Sequence, residues 1–181
     1  IPNFRAYYDS WKRGASGFIG LLGEMPIDGC ELYVPYDGFL KKTPAAWVGR
    51  EHAEAVRSAA TSGKAFHFTS TGESRTVDSH NVVGILPGRT DEYILLTCHH
   101  DAPFASAVED ASGLSVLLAL AEAFARSTEP LERGLVFLAS SGHFHGGIGC
   151  REFVGKHRGG LLEKIVAAIG VEHIGEEAQG D

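Results

Sequence analysis

Up to residue 63, apolar positions come in short groups separated by turn residues. "RAYYDSWKRG" has helical spacing and stops at Gly14, which predicts a helix over 5–14. "GFIGLLGE" predicts a short strand, "IDGCELYVPYDGFLKKTP" loops with short strands, and "AAWVG" another strand. "REHAEAVRSAATSG" predicts a helix closed by Gly63. "KAFHFTSTGES" alternates as an edge strand would, then fades into polar residues around 70–78, where a domain boundary is expected.

Beyond that point the apolar runs lengthen. Residues 79–86, 92–98, 133–139 and 165–172 read as buried, β-branched strands of one sheet. "PGRTDE" between the first two is turn-rich enough to make a hairpin. Residues 112–126 predict the strongest helix, with Ser112 as N-cap. Apolar positions nearly surround it, so it is expected to be largely buried. "SGHFHGGIG" reads as a loop and "CREFVGKHR" as a short helix. Strands alternating with helices predict an α/β fold, a mostly parallel sheet flanked by helices.

Composition narrows the function classes. Of 181 residues, 44% are hydrophobic and 22% charged, as in a globular chain with a real core. The net charge of -7 and the lack of a basic cluster speak against a nucleic-acid partner. No apolar run reaches the roughly 18–20 residues of a membrane span. Cys30, Cys98 and Cys150 form no Cys-x-x-Cys pair, and Cys98 reads as a small buried hydrophobe. The chain opens at Ile1 with no initiator Met or signal-like segment, so a piece of a longer protein is expected, with any targeting peptide upstream.

Candidate chemistry gathers at strand ends. "CHHD" follows the second strand of the sheet, "SGHFH" the third and "EH" the fourth, while Glu109 and Asp110 return beside the first cluster at the start of the long helix. Parallel sheets bind ligands beyond the carboxyl ends of their strands, and imidazole with carboxylate is a usual zinc donor set. Asp101, two residues after His99, is placed to orient an imidazole or a metal-bound water. Polar residues at exposed strand ends are also ordinary, and each His alone reads as structural. The pattern of His at three successive strand ends is less easily dismissed, and it leaves a metal site open beside the structural reading.

"NVVGILPG", "ILLTCHHDAP", "EDASGLSVLLALAEAF", "GLVFLAS" and "VAAIGVEHIG", in this order over roughly 79–176, resemble the zinc aminopeptidases of metallopeptidase family 28. That group includes leucyl-type aminopeptidases, glutamate carboxypeptidase and the non-catalytic transferrin receptor ectodomain. The resemblance implies a phosphorylase/hydrolase-like sheet of the zinc-exopeptidase type, truncated, over 77–181. Residues 1–76, with "GASGFIGLL" and "PAAWVGREHAEAV", are similar to the second part of a protease-associated domain. A secreted or periplasmic location goes with such relatives.

Carried over by position, the resemblance implies two zinc ions, with His99 a ligand, Asp101 its supporting carboxylate, Glu109 or Asp110 the bridge and Glu172 a later ligand. At "SGHFHGGIG" the family has two glutamates, a general base and a ligand. Here His143 stands for the base and Phe144 for the ligand, leaving His143 or His145 as candidate donors. The family's last His ligand has no counterpart before Asp181. The expectation is therefore a zinc-dependent, aminopeptidase-like exopeptidase acting on peptides through an atypical metal site. This chain alone is expected to bind zinc weakly or not at all and to show no turnover. The alternative is a non-catalytic interaction or scaffold module.

Overall fold

The computed structural model describes residues 4–21, 43–69, 71, 73, 75–102 and 106–175. Most of the loop region expected at 27–44 lies outside them. The chain divides into two compact units between Thr76 and Val77.

The first unit holds helix α1 (Phe4–Lys12), strands β1 (Phe18–Leu21) and β2 (Ala45–Val48), and helix α2 (Arg50–Thr61). β1 and β2 pair in parallel. Their contact is aromatic: Tyr7 lies 5.4 Å from Phe18, which meets Trp47 edge-on at 5.5 Å. The buried Tyr7 hydroxyl donates to the Thr43 carbonyl at 3.0 Å, satisfying its polar end. Gly63, at φ +73°, turns the chain out of α2 and donates its N–H to Ala60 O. The edge strand expected after it does not form over 64–69, where every residue but Phe68 is exposed. Alternation supplies a face, but no described strand of this unit pairs there.

The second unit is built on one four-stranded sheet: β3 (Val82–Leu86), β4 (Tyr93–His99), β5 (Gly134–Ser140) and β6 (Ile165–Gly170), in the order β3-β5-β4-β6. β4 runs parallel to β5 and β6, and β3 antiparallel to β5. β3 and β4 thus make no hairpin. The connection between them instead bonds to the approach to β5, with Arg89 N–H on Leu131 O and Thr90 N–H on Glu132 O. β5 is buried at all seven positions, and such a strand needs a partner on both edges.

Alternation along β5 makes two cores. Leu135, Phe137 and Ala139 join Leu96, Cys98 and Leu117 of helix α3 (Gly113–Arg126) on one face. Val136 and Leu138 pack with Phe153 of helix α4 (Ile148–His157) on the other. α3 is less buried than its composition suggests. Leu114, Leu117, Leu120, Ala121 and Phe124 face the sheet, but Leu118 is 62% exposed. Ser112 does not cap it either, since its hydroxyl turns back to Val108 O at 2.7 Å.

This one-sided burial is testable. Leu117→Ala should cost about 2–5 kcal/mol by cavity formation. Leu118→Ala, one residue away, should change stability by less than about 0.5 kcal/mol. Urea denaturation of both variants measures the contrast, and equal losses would contradict the packing described.

Candidate metal centre

The strand order reverses at β4: the chain passes from β4 out to β5, then back across to β6 on the other side. Such a reversal leaves a crevice at the carboxyl ends of the strands. His99 closes β4 opposite Ser140, and the Val171 N–H bonds Thr97 O at 2.8 Å, so Glu172 follows directly at the same sheet edge.

His99 is 1% exposed and fixed on three sides. Its Nδ1 lies 2.6 Å from the Asp101 main-chain carbonyl, an acceptor only, so Nδ1 carries the proton and Nε2 the lone pair. Its backbone N–H donates to Asp110 Oδ2 at 3.2 Å. Nε2 has no hydrogen-bond partner among the described residues, and neither has Asp110 Oδ1 on a side chain equally buried. Nε2 stands 3.9 Å from Asp110 Oδ2 and 4.0 Å from Glu109 Oε1.

Glu109 and Asp110 lie in an irregular turn over Ala107–Ser112, with non-helical backbone at both residues. Gly113 makes that turn possible. A Cβ there would fall on the Val171 carbonyl and the Asp110 carboxylate, so only glycine lets the start of α3 meet the end of β6.

Two donor groups result, each with ligand atoms within 4.8 Å of one another: His99, Glu109 and His143, and His99, Asp110 and Glu172. A polar residue that the expected ligand set omitted, His173, places Nε2 3.8 Å from Glu109 Oε1. The sequence carries it only as the neighbour of Glu172.

The loop after β5 is pinned from both sides. The Asp101 carboxylate acts here, where its carbonyl serves His99: the carboxylate oxygens accept the His143 N–H at 3.0 and 3.3 Å, while Oδ1 is 3.9 Å from His99 Nδ1. On the far side Asn81, which nothing in the sequence singles out, accepts the Ser141 N–H at 3.0 Å and donates to Gly149 O at 2.8 Å. The His143–His145 turn lies between glycines of positive φ at Gly142 and Gly146.

That turn sorts its side chains. The His143 ring stacks on His99, centroids 4.0 Å apart and planes 9° from parallel. Burial, and then the neighbouring His99, push its pKa below the ordinary histidine value, so it is neutral at pH 7. Phe144 is buried edge-on to both imidazoles. His145, expected as a possible ligand, is exposed and belongs to neither donor group, because the tight turn directs it away from His143. A cleft of about 520 Å³ between residues 77–83 and α4 touches Ser141 but contains none of the donors.

A buried imidazole and carboxylate, joined by further carboxylates at a sheet edge, make a candidate metal centre on an α/β fold. The sequence model of Peptidase family M28 matches residues 81–180, and the chain belongs to that family. Curated proteins provide no match. Among solved structures, the chain is similar to the Peptidase M28 precursor from Shewanella amazonensis SB2B, with a TM-score of 0.68 and 22% identity. The match covers 91% of this chain and 39% of that one, and it shows the shared fold. No helix among the described residues is long and apolar enough to cross a membrane.

Two outcomes follow. Burial, then Asp110 and Glu172, push the Cys98 thiol up to about 12. Alkylation of folded protein at pH 8 should label exposed Cys150 while Cys98 reacts about 1,000-fold more slowly than a free thiol, a gap lost in urea; peptide mass mapping reads both. Asp101→Ala should release the loop. A charge-assisted hydrogen bond contributes about 1.5–3 kcal/mol, so hydrogen exchange at the His143 amide should quicken by about 10- to 100-fold.

Proposed function

We propose that this chain carries the metal-binding strands of a zinc-dependent exopeptidase of aminopeptidase type, which removes residues from peptides through an atypical metal site. The observation that carries the proposal is the pair of buried atoms with no hydrogen-bond partner among the described residues, His99 Nε2 and Asp110 Oδ1. Leaving either unsatisfied costs about 1–3 kcal/mol, which a cation held by the His99 imidazole and the Asp110 carboxylate would offset. The donor chemistry fits zinc: one imidazole nitrogen and the oxygens of Asp110, Glu172 and Glu109.

When bound, zinc would polarise a peptide carbonyl and acidify a water molecule. The remaining work falls to the chain. The Asp101 carbonyl holds His99 in the tautomer that presents Nε2. The Asp101 carboxylate holds the loop that keeps His143 against His99. A ring nitrogen of His143, neutral at pH 7, accepts the proton of the attacking water and returns one to the leaving amine. Phe144 keeps that side of the centre apolar. Residues 1–76 would be part of a protease-associated domain preceding these strands.

Phe144 also favours a second reading. A buried phenyl ring where the family has a carboxylate suits a relative that has kept the sheet as an interaction module and lost turnover.

Activity in the whole protein separates the two. The proposal expects release of N-terminal residues from aminoacyl chromogenic substrates, lost with a chelator and restored by zinc. His143→Ala should lower kcat by about 10²- to 10⁴-fold with zinc content unchanged. The 181-residue chain by itself should show no turnover. Zinc-loaded whole protein that releases nothing would select the interaction module, and turnover indifferent to chelators would remove the metal from the account.

A further inference from the structure

We infer that this chain holds one divalent ion rather than two, seated on His99, Asp110 and Glu172, and that His143 stacks on the His99 ligand without coordinating. The inference rests on the metal reading above and concerns stoichiometry and ligand identity, which that reading leaves open.

The first step is a count of lone pairs. Both donor groups contain His99, and among the described residues no group stands without it. A neutral imidazole has one nitrogen free to coordinate once the other carries the proton. Nδ1 is committed to the Asp101 carbonyl at 2.6 Å, so Nε2 is the single donor of this ring. One lone pair binds one ion. As they stand the two groups share this nitrogen and cannot both be filled.

Ring geometry chooses between them. Zinc binds imidazole about 2.0–2.1 Å from nitrogen, along the lone pair and so close to the ring plane. The His143 plane is 9° from that of His99, with centroids 4.0 Å apart. Rings in van der Waals contact have planes about 3.5 Å apart. An ion in the His99 plane would thus lie far outside the His143 plane, with no lone pair of His143 aimed at it. The stack explains why His143 falls close enough to be grouped with His99 and Glu109. It also disqualifies His143, in this position, as a ligand to the same ion.

The other group has the complementary features. Asp110 Oδ1 is buried with no hydrogen-bond partner among the described residues, and Oδ2 lies 3.9 Å from Nε2. Glu172 arrives from the end of β6, and Glu109 Oε1, 4.0 Å from the same nitrogen, supplies a further oxygen at its margin. Two carboxylates and a neutral imidazole match the charge of a divalent cation. On the side of the loop, Phe144 meets both imidazoles edge-on, at 5.8 Å from His99 and 5.1 Å from His143. A second ion there would face hydrocarbon.

The test is metal content first, because it needs no variant. The chain is stripped with chelator, reloaded with zinc, desalted and measured by native mass spectrometry, with calorimetry for affinity. The expected result is one zinc per chain at saturation. His99→Ala should abolish binding and Glu172→Gln should weaken it at least about tenfold. His143→Phe, which keeps a stacked ring and removes both nitrogens, should bind zinc with the parent affinity. Circular dichroism of each variant separates loss of a ligand from loss of the fold. Two zinc ions per chain, or His143→Phe losing zinc as His99→Ala does while folded, would overturn the inference and leave the metal reading standing. A parent chain that takes up neither zinc nor cobalt would overturn both.

Discussion

An imidazole and a carboxylate buried side by side, each with one atom that has no hydrogen-bond partner among the described residues, set the terms for the rest of this unit. His99 and Asp110 are 1% and 2% exposed. Each open atom costs about 1–3 kcal/mol, a large share of the stability of a domain this size. The sheet carries that cost because β5 is buried along its whole length and packs helices on both faces. Gly113 allows α3 to start close enough for Asp110 to accept the His99 N–H.

The centre is positioned by parts that hold no metal. Asp101 divides its work between two loops, its carbonyl fixing the His99 ring and its carboxylate fixing the His143 backbone. Asn81 anchors the same loop from the lead into β3. Four strand and helix ends are thereby held together without a covalent link. Beside the centre the His143 imidazole is stacked on His99, and the Phe144 ring lies edge-on to both.

The sheet and its helices were legible because their signal is local. Four apolar runs and one long apolar helix announce themselves in any window of the chain, although β3 and β6, expected to be buried, are exposed along most of their length because each lies at an edge of the sheet. Pairing is not local, and the turn-rich "PGRTDE" suggested a hairpin that β5 prevents by taking β3 as its own neighbour. The exposure of Leu118 was illegible for a similar reason, since composition does not say which faces find partners. At the site, residue type and strand-end position brought forward His99, Glu109, Asp110 and Glu172. Spacing could not say that Asp101 serves through its carbonyl as well as its carboxylate. Nor could it separate His143 from His145, which the glycines flanking their turn decide. Asn81 left no trace in the sequence because any polar residue there reads the same.

The local environment of zinc bound to this chain tests the central claim most directly, by X-ray absorption at the zinc edge. The account predicts one imidazole and a shell of carboxylate oxygens at about 2.0–2.2 Å, with no metal neighbour. A second imidazole in the shell, or a metal–metal vector at about 3.5–4 Å, would contradict it.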